Sequence, residues 1–393
     1  MLRRLRRSRP KILFVVHAWG GGTIRFAREL ADLVGDSVDV TWAWGVENKS
    51  LHLSDRGPYF AERSYDLAAG LAAPLHDLEA SGFDRLNVIQ TIGLQQHISA
   101  LVDGLNVPYD VTFTDYHHFS PTPHFEDAQG YFVGDEALAK MHDAGRLSTP
   151  PLVAKADRRI AISRDLAYRT QRLMPTLPVI AAHVQEPQRR QAPIRVAPLY
   201  KGQPMRVLVL GRPHYSKGLS IILDVANRAH CEALPIEILC LGETNGKVEA
   251  ALNATQNITY LGAYKDSDLS DIVGRIDPHM AWFPFTVPET HSYALSDVLS
   301  LGLPVLATAI GAVSERVAGR PSTWLVPYGP VCADDHFDWI KRLYAGGLAY
   351  PASWQAVSHL PEPDVHFYPD IYLEPVLPRR KSSIDWMRRQ FAR

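Results

Sequence analysis

"RVLVLGRPHYSKG", Arg206 to Gly218, decides how this chain is read. Leucine and valine run unbroken to Gly211, as in a strand buried on both faces, and the run then stops. Arg212 follows at once, and Lys217 with Gly218 closes the stretch. Parallel sheets take their ligands at the carboxyl ends of their strands, so this pair of cations stands where a ligand docks. A guanidinium fork and a compact ammonium both suit phosphate oxygens. In isolation the two would read as solvated surface cations.

Working outward, the same unit recurs. After this stretch, "IEILCLG", "ITYLG", "HMAWFPF", "PVLATA" and "TWLVP" are strand candidates, and segments such as "KGLSIILDVANRAH" between them have helical periodicity. Before it, "KILFVV", "VDVTWAW", "LNVIQTI", "DVTFTDY", "RRIAIS" and "LPVIAA" repeat the alternation. The first is followed by "TIRFARELADLV", with Ile24, Phe26, Ala27, Leu30 and Leu33 near helical spacing. The polar, proline-bounded "QEPQRRQAP", Gln185 to Pro193, reads as a linker. The expected fold is therefore α/β: two Rossmann-like, doubly wound parallel-sheet lobes facing a cleft. The first covers 1–190 and the second 200–345, and a proline-rich tail over 350–393 ends in a short helix at "SSIDWMRRQFAR", packing back on the first lobe.

Length agrees, since 393 residues exceed one ordinary core. A formal net charge of −1 disfavours nucleic acid as a partner. Cys231, Cys240 and Cys332 lack metal spacing and fit a reducing, cytoplasmic compartment, with Cys240 in an apolar run as a buried thiol. The longest apolar tract, Ala294 to Val313, contains Asp297 and is broken by Gly302 and Pro304, so it reads as a buried helix and strand. Both ends are basic, through Arg3, Arg4, Arg6, Arg7 and Arg9 and through Arg379, Arg380, Lys381, Arg388, Arg389 and Arg393. They offer either peripheral contact with an anionic membrane, at the inner face of the cytoplasmic membrane, or merely charged, frayed termini.

Three constellations carry chemistry. "HAWGGGTIRFAREL" sets Gly20, Gly21 and Gly22 between a strand and a helix, where backbone N–H groups approach a ligand closely. It is neither G-x-G-x-x-G nor a P-loop, which argues against hydride transfer and phosphoryl transfer. The second constellation is Gly211, Arg212, Lys217 and Gly218. The third, "PETHSYALSDVLSLGLPVLATAIGAVSERV", has Glu289 just before a helix and Asp297 two turns on. The loop "DYHHFSPTPHFEDAQGYF" mixes aromatic and polar groups in the manner of a carbohydrate-facing surface and of an ordinary packed loop alike.

In this order the constellations resemble glycosyltransferase family 4. Glu289, a gap of seven, Asp297, "GLPVLAT" and "GAVSERV" are similar to its E-x7-E block, "LGRPHYSKG" to its donor-phosphate loop, and "GGGTIRFAREL" to its first glycine loop. The resemblance spans most of residues 11–330. It implies the GT-B fold, a nucleotide-diphospho-sugar donor and transfer with retention to a glycan or lipid-linked saccharide, in a pathway such as bacterial surface polysaccharide or lipopolysaccharide synthesis. By the same resemblance Arg212 and Lys217 grip the diphosphate, and Glu289 faces the donor sugar with His291 and Ser292 beside it. Asp297 holds the ribose, Gly262 to Tyr264 line the base, and Gly21, Gly22 and Gly211 approach the donor. Asp115, Tyr116, His117 and His118 are the acceptor-side candidates.

Two departures stand out. Asp297 is one methylene shorter than the usual glutamate. Thr114 precedes Asp115 where relatives carry histidine, with His117 or His118 as substitutes. No cofactor and no metal are expected. "DSD", Asp266 to Asp268, resembles the metal motif of the other common glycosyltransferase fold, but the helix-like "LSDIV" behind it makes a helix cap the better reading. The departures keep two alternatives open, an inactive sugar-nucleotide-binding scaffold and a sugar-nucleotide epimerase.

Overall fold

The computed structural model describes residues 9–145, 147–184, 191, 193–329, 332–349 and 360–377. The chain begins with β1 (Lys11–Val16), α1 (Gly21–Val34), β2 (Asp39–Val46), β3 (Ser50–Ser54), β4 (Arg63–Asp66) and α2 (Ala72–Ser81). It continues through β5 (Arg85–Val88), α3 (Ile98–Leu105), β6 (Tyr109–Phe113), α4 (Asp135–Asp143), α5 (Pro151–Ala154), β7 (Arg158–Ala161), α6 (Arg164–Leu173) and β8 (Ile180–Ala181). These strands form one sheet in the order β4-β3-β2-β1-β5-β6-β7-β8. Only the β2–β3 and β3–β4 pairings are antiparallel. Those two hairpin strands escaped the sequence reading because β3 alternates Leu51, His52, Leu53 over only five residues and β4 carries no buried residue.

The second sheet is built from β9 (Met205–Leu210), α7 (Leu219–Cys231), β10 (Ile236–Leu241), α8 (Gly246–Ala254), β11 (Ile258–Gly262), α9 (Leu269–Ile276) and β12 (Met280–Phe283). It is completed by α10 (Tyr293–Leu301), β13 (Val305–Thr308), α11 (Gly311–Val317), β14 (Thr323–Val326) and α12 (Cys332–Ala345). Its order, β11-β10-β9-β12-β13-β14, is wholly parallel and reverses direction beside β9, the strand of the opening stretch. The unbroken apolar run of β9 is explained by burial on both faces. Met205, Val207 and Val209 enter one core, while Leu208 and Leu210 enter the other.

On α1 the buried stripe is Ile24, Phe26, Ala27, Leu30 and Val34. Leu33, expected inside, is 42% exposed, because the stripe continues by four residues from Leu30 rather than by three. Cys240 is buried, and desolvation pushes its thiol up to about 12. The linker "QEPQRRQAP" falls mostly outside the described residues, as do the basic arms apart from Arg9 and the expected terminal helix.

After α12 the described chain resumes at Leu360 and lies on the first sheet. Asp364 donates its N–H to Ala181 (2.8 Å), and Phe367, Tyr368, Tyr372 and Leu373 join the first core. Asp110, fully buried, accepts from Arg85 and Arg158, and Arg158 in turn donates to the carbonyls of Ile371 and Tyr372. The chain thus passes from first sheet to second near residue 190 and returns between 349 and 360.

Candidate active site

The carboxyl ends of β1 and β9 face one another across a cavity of about 380 Å³. Gly21, Gly22, Thr114 and Asp115 form one wall, and Gly211, Arg212, Lys217, Glu289, His291 and Ser292 the other. The local sequence explains how the cation pair reaches it. After β9 the chain makes a single 3₁₀ turn over Tyr215–Lys217, whose carbonyl at Tyr215 accepts from the Gly218 N–H. Gly218 has φ 81 and a side-chain position only 1.9 Å from the Pro284 carbonyl, so glycine alone fits there. Lys217 is thereby turned inward onto Glu289. Arg212 is exposed at the rim and has no ion-pair partner among the described residues.

Glu289 is 6% exposed. Burial alone would raise its carboxyl, but Lys217 and then His124 outweigh that and hold it below its ordinary value. His124 comes from the opposite wall, with Nε2 3.7 Å from Glu289 Oε1. Its own burial lowers its pKa, against the pull of the Glu289 charge. Asp115 accepts from Gln90 (2.7 Å) and from the His117 N–H (2.9 Å), and burial raises its carboxyl. Ser292 caps α10 by accepting from the Leu295 N–H and has φ 69, an uncommon conformation for serine.

Several expected residues do not line this cavity. Tyr116 is fully buried against Phe125, with ring centroids 5.1 Å apart, because the chain folds back there and Tyr116 O accepts from the Phe119 N–H. His118 packs edge-on against Phe113, and burial pushes it down to about 4. His117 enters only through its backbone bond to Asp115. Asp297 is 2% exposed inside α10 and, like Gly262 and Tyr264, is absent from the lining. The Tyr264 hydroxyl is pushed up to about 12 by desolvation and then by the charge of Asp297. Asp266 to Asp268 form a 3₁₀ turn leading into α9, but no side chain caps it. Asp268 instead accepts from Ser267, and Asp266 lies 3.5 Å from Arg25. Among the described residues no cluster of three or more His, Cys, Asp or Glu could hold a metal ion.

The sequence reading left out Thr23, Thr290, Tyr293 and the siting of His124, all of which line the cavity. Thr290 donates to the Thr114 carbonyl (2.7 Å), and Thr114 shares a hydroxyl contact with Thr23 (3.0 Å). Tyr293 donates to Glu29 of α1 and lies under Arg25. The Thr290 and Tyr293 bonds cross the cleft, and the Thr23 contact joins two distant parts of the first wall, so no local pattern announces any of them.

No protein-family model matches the sequence, and no curated protein matches it by sequence. Solved structures do match in three dimensions. Sucrose-phosphate synthase from Thermosynechococcus elongatus aligns over 86% of this chain and 90% of its own, at 15% identity and TM-score 0.59. A glycosyltransferase from Rickettsia africae aligns over 86% and 89%, at 13% identity and TM-score 0.56. Anabaena HepE, solved with UDP-glucose, aligns over 85% and 89%, at 15% identity and TM-score 0.55. The chain has the GT-B fold. In GT-B terms the cavity is the interlobe cleft, with the α10 start and the β9 loop on its second-lobe side.

Proposed function

We propose that this protein is a retaining glycosyltransferase of the family 4 type, moving a sugar from a nucleotide-diphospho-sugar to a hydroxyl of a glycan or lipid-linked saccharide. The supporting observation is the convergence of Arg212, Lys217 and Glu289 on one cavity opposite the first glycine loop. The donor lobe spans 200–345 and the acceptor lobe 1–190. Arg212 and Lys217 hold the diphosphate; Glu289, kept ionised by Lys217, accepts from donor-sugar hydroxyls. The acceptor oxygen bonds to the anomeric carbon on the face from which the diphosphate departs. The broken C–O bond leaves its electron pair on the diphosphate, which takes the acceptor's proton. The two cations meet that developing charge without requiring a metal ion, and each such preorganised group is worth ~10²–10³ in rate.

HepE was solved with UDP-glucose, so UDP-sugars head the donor panel. Thermal unfolding with UDP-, GDP- and dTDP-sugars tests the reading, because a ligand bound only to the folded state raises the midpoint. At least one donor should stabilise the protein, and Arg212→Ala with Lys217→Ala should abolish that shift. If no nucleotide sugar stabilised the chain, or if the double variant turned over donor at the wild-type rate, the reading would fail. The lack of a histidine at Thr114, with neither His117 nor His118 in the lining to replace it, favours one second reading, a donor-binding scaffold. That reading predicts stabilisation without release of nucleotide in the presence of any acceptor.

A further inference from the structure

Single exposed apolar residues are normal on a protein surface, but three large aromatics grouped beside a cavity are not. Trp19 is 77% exposed, Phe60 64% and Tyr59 44%. Trp19 is two residues ahead of Gly21, which lines the cavity, and its backbone N–H donates to His17 Nδ1 at 3.0 Å. Tyr59 arrives from the turn between β3 and β4, and its hydroxyl lies 3.6 Å from where Gly20 would carry a side chain. Tyr59 has φ 84, a conformation that bulky residues avoid, and its ring is covered by Arg28 at 5.5 Å. The fold therefore holds this ring outward against a backbone penalty.

Beyond Tyr59 the surface continues into a trough of about 750 Å³ running along α1, lined by Phe60, Arg28 and Asp32 among others. Gly21 and Arg28 are seven residues apart on that helix, ~10 Å along its axis. The trough intersperses charges of both signs, Lys11, Arg28, Arg56 and Arg63 among Asp32, Asp39 and Asp55, and several are engaged: Arg56 lies 3.1 Å from Glu62, Asp39 lies 3.3 Å from Arg9, and Asp55 accepts from Thr41 at 2.6 Å. With three carboxylates set among its four cations, such a surface draws anionic lipid only weakly. Of its apolar lining Val38 and Trp42 are buried, which leaves little open floor for an acyl chain. Flat aromatic faces followed by closely set donors and acceptors fit sugar rings, whose C–H faces stack while their hydroxyls hydrogen-bond.

We infer that Trp19, Tyr59 and Phe60 form a saccharide platform, and that the trough beyond them takes the body of a neutral oligosaccharide acceptor whose end enters the cavity. The inference rests on the proposed transferase reading and narrows its acceptor to a saccharide several rings long. The test is titration of the full-length chain with neutral gluco-, galacto- and manno-configured oligosaccharides of two to six residues. Intrinsic tryptophan fluorescence and saturation-transfer NMR supply the readouts. At least one series should bind with affinity rising with length, and W19A/Y59A/F60A should weaken it roughly tenfold or more. W19F/Y59F should retain most of the binding, and stabilisation by whichever nucleotide sugar the wild type binds should be unchanged in both variants.

The inference is overturned if no series binds, if a disaccharide binds as well as a hexasaccharide, or if the triple variant binds like the wild type. It is also overturned if the same three residues govern co-sedimentation with phosphatidylglycerol vesicles instead. A wild type stabilised by none of the UDP-, GDP- and dTDP-sugars would defeat the transferase reading alone, since saccharide binding is measured without nucleotide.

Discussion

Lys217 and Glu289 hold each other in place, and neither is well placed without its partner. Removing the ammonium leaves a carboxylate enclosed at 6% exposure, and breaking such a pair typically costs ~3–5 kcal/mol. Lys217→Ala should therefore unfold at lower denaturant, and adding Glu289→Gln should recover part of the loss. A strictly additive double-mutant cycle in urea would show that the two do not interact. This pairing was only half legible. The sequence marks Lys217 and Glu289 as candidates because each adjoins a βα junction, but 72 residues separate them and no spacing rule joins them. Thr114 shows the opposite limit: it reads as a missing histidine, whereas its carbonyl serves as an anchor for Thr290.

Elements with continuous or periodic apolar character were readable, and those that depend on partners were not. β9 declares itself by its unbroken apolar run and α1 by its period, while β3 and β4 have no pattern strong enough to separate them from a loop. The loop after β6 was recognised for its composition, yet its course was hidden: Phe132 donates to the Thr286 carbonyl (2.9 Å) and Thr286 to that of Gly130 (2.7 Å), so it crosses to the second lobe. At this scale the turn before α7 is the sensitive point. Gly218→Ala would place a methyl group 1.9 Å from the Pro284 carbonyl at a φ of 81. Strain and crowding together should cost at least ~2 kcal/mol and swing Lys217 out of the cavity. Calorimetry should show a lowered midpoint and the loss of stabilisation by nucleotide sugar; an unchanged midpoint would mean the turn has room to relax.

Across the whole molecule, the seam between lobes contains an ionisable latch. Glu315 of α11 accepts the first two N–H groups of α6, from Arg164 (3.1 Å) and Asp165 (2.7 Å). Burial raises its carboxyl to about 7, against the pull of those two N–H groups. A folded-state pKa above the unfolded value means that the native protein binds the extra proton, so this group's contribution is complete below about pH 4.5 and lost as pH rises through about 7. Wild-type stability should accordingly carry a downward slope between those values that Glu315→Gln removes, as read by thermal unfolding across the range. An unaltered slope in the variant would assign it elsewhere, for example to Asp115, which is displaced in the same direction. The bond from Thr290 to the Thr114 carbonyl and the grip of Glu315 on the tip of α6 stand on opposite sides of His291, and together they set the register in which the two walls of the pocket meet.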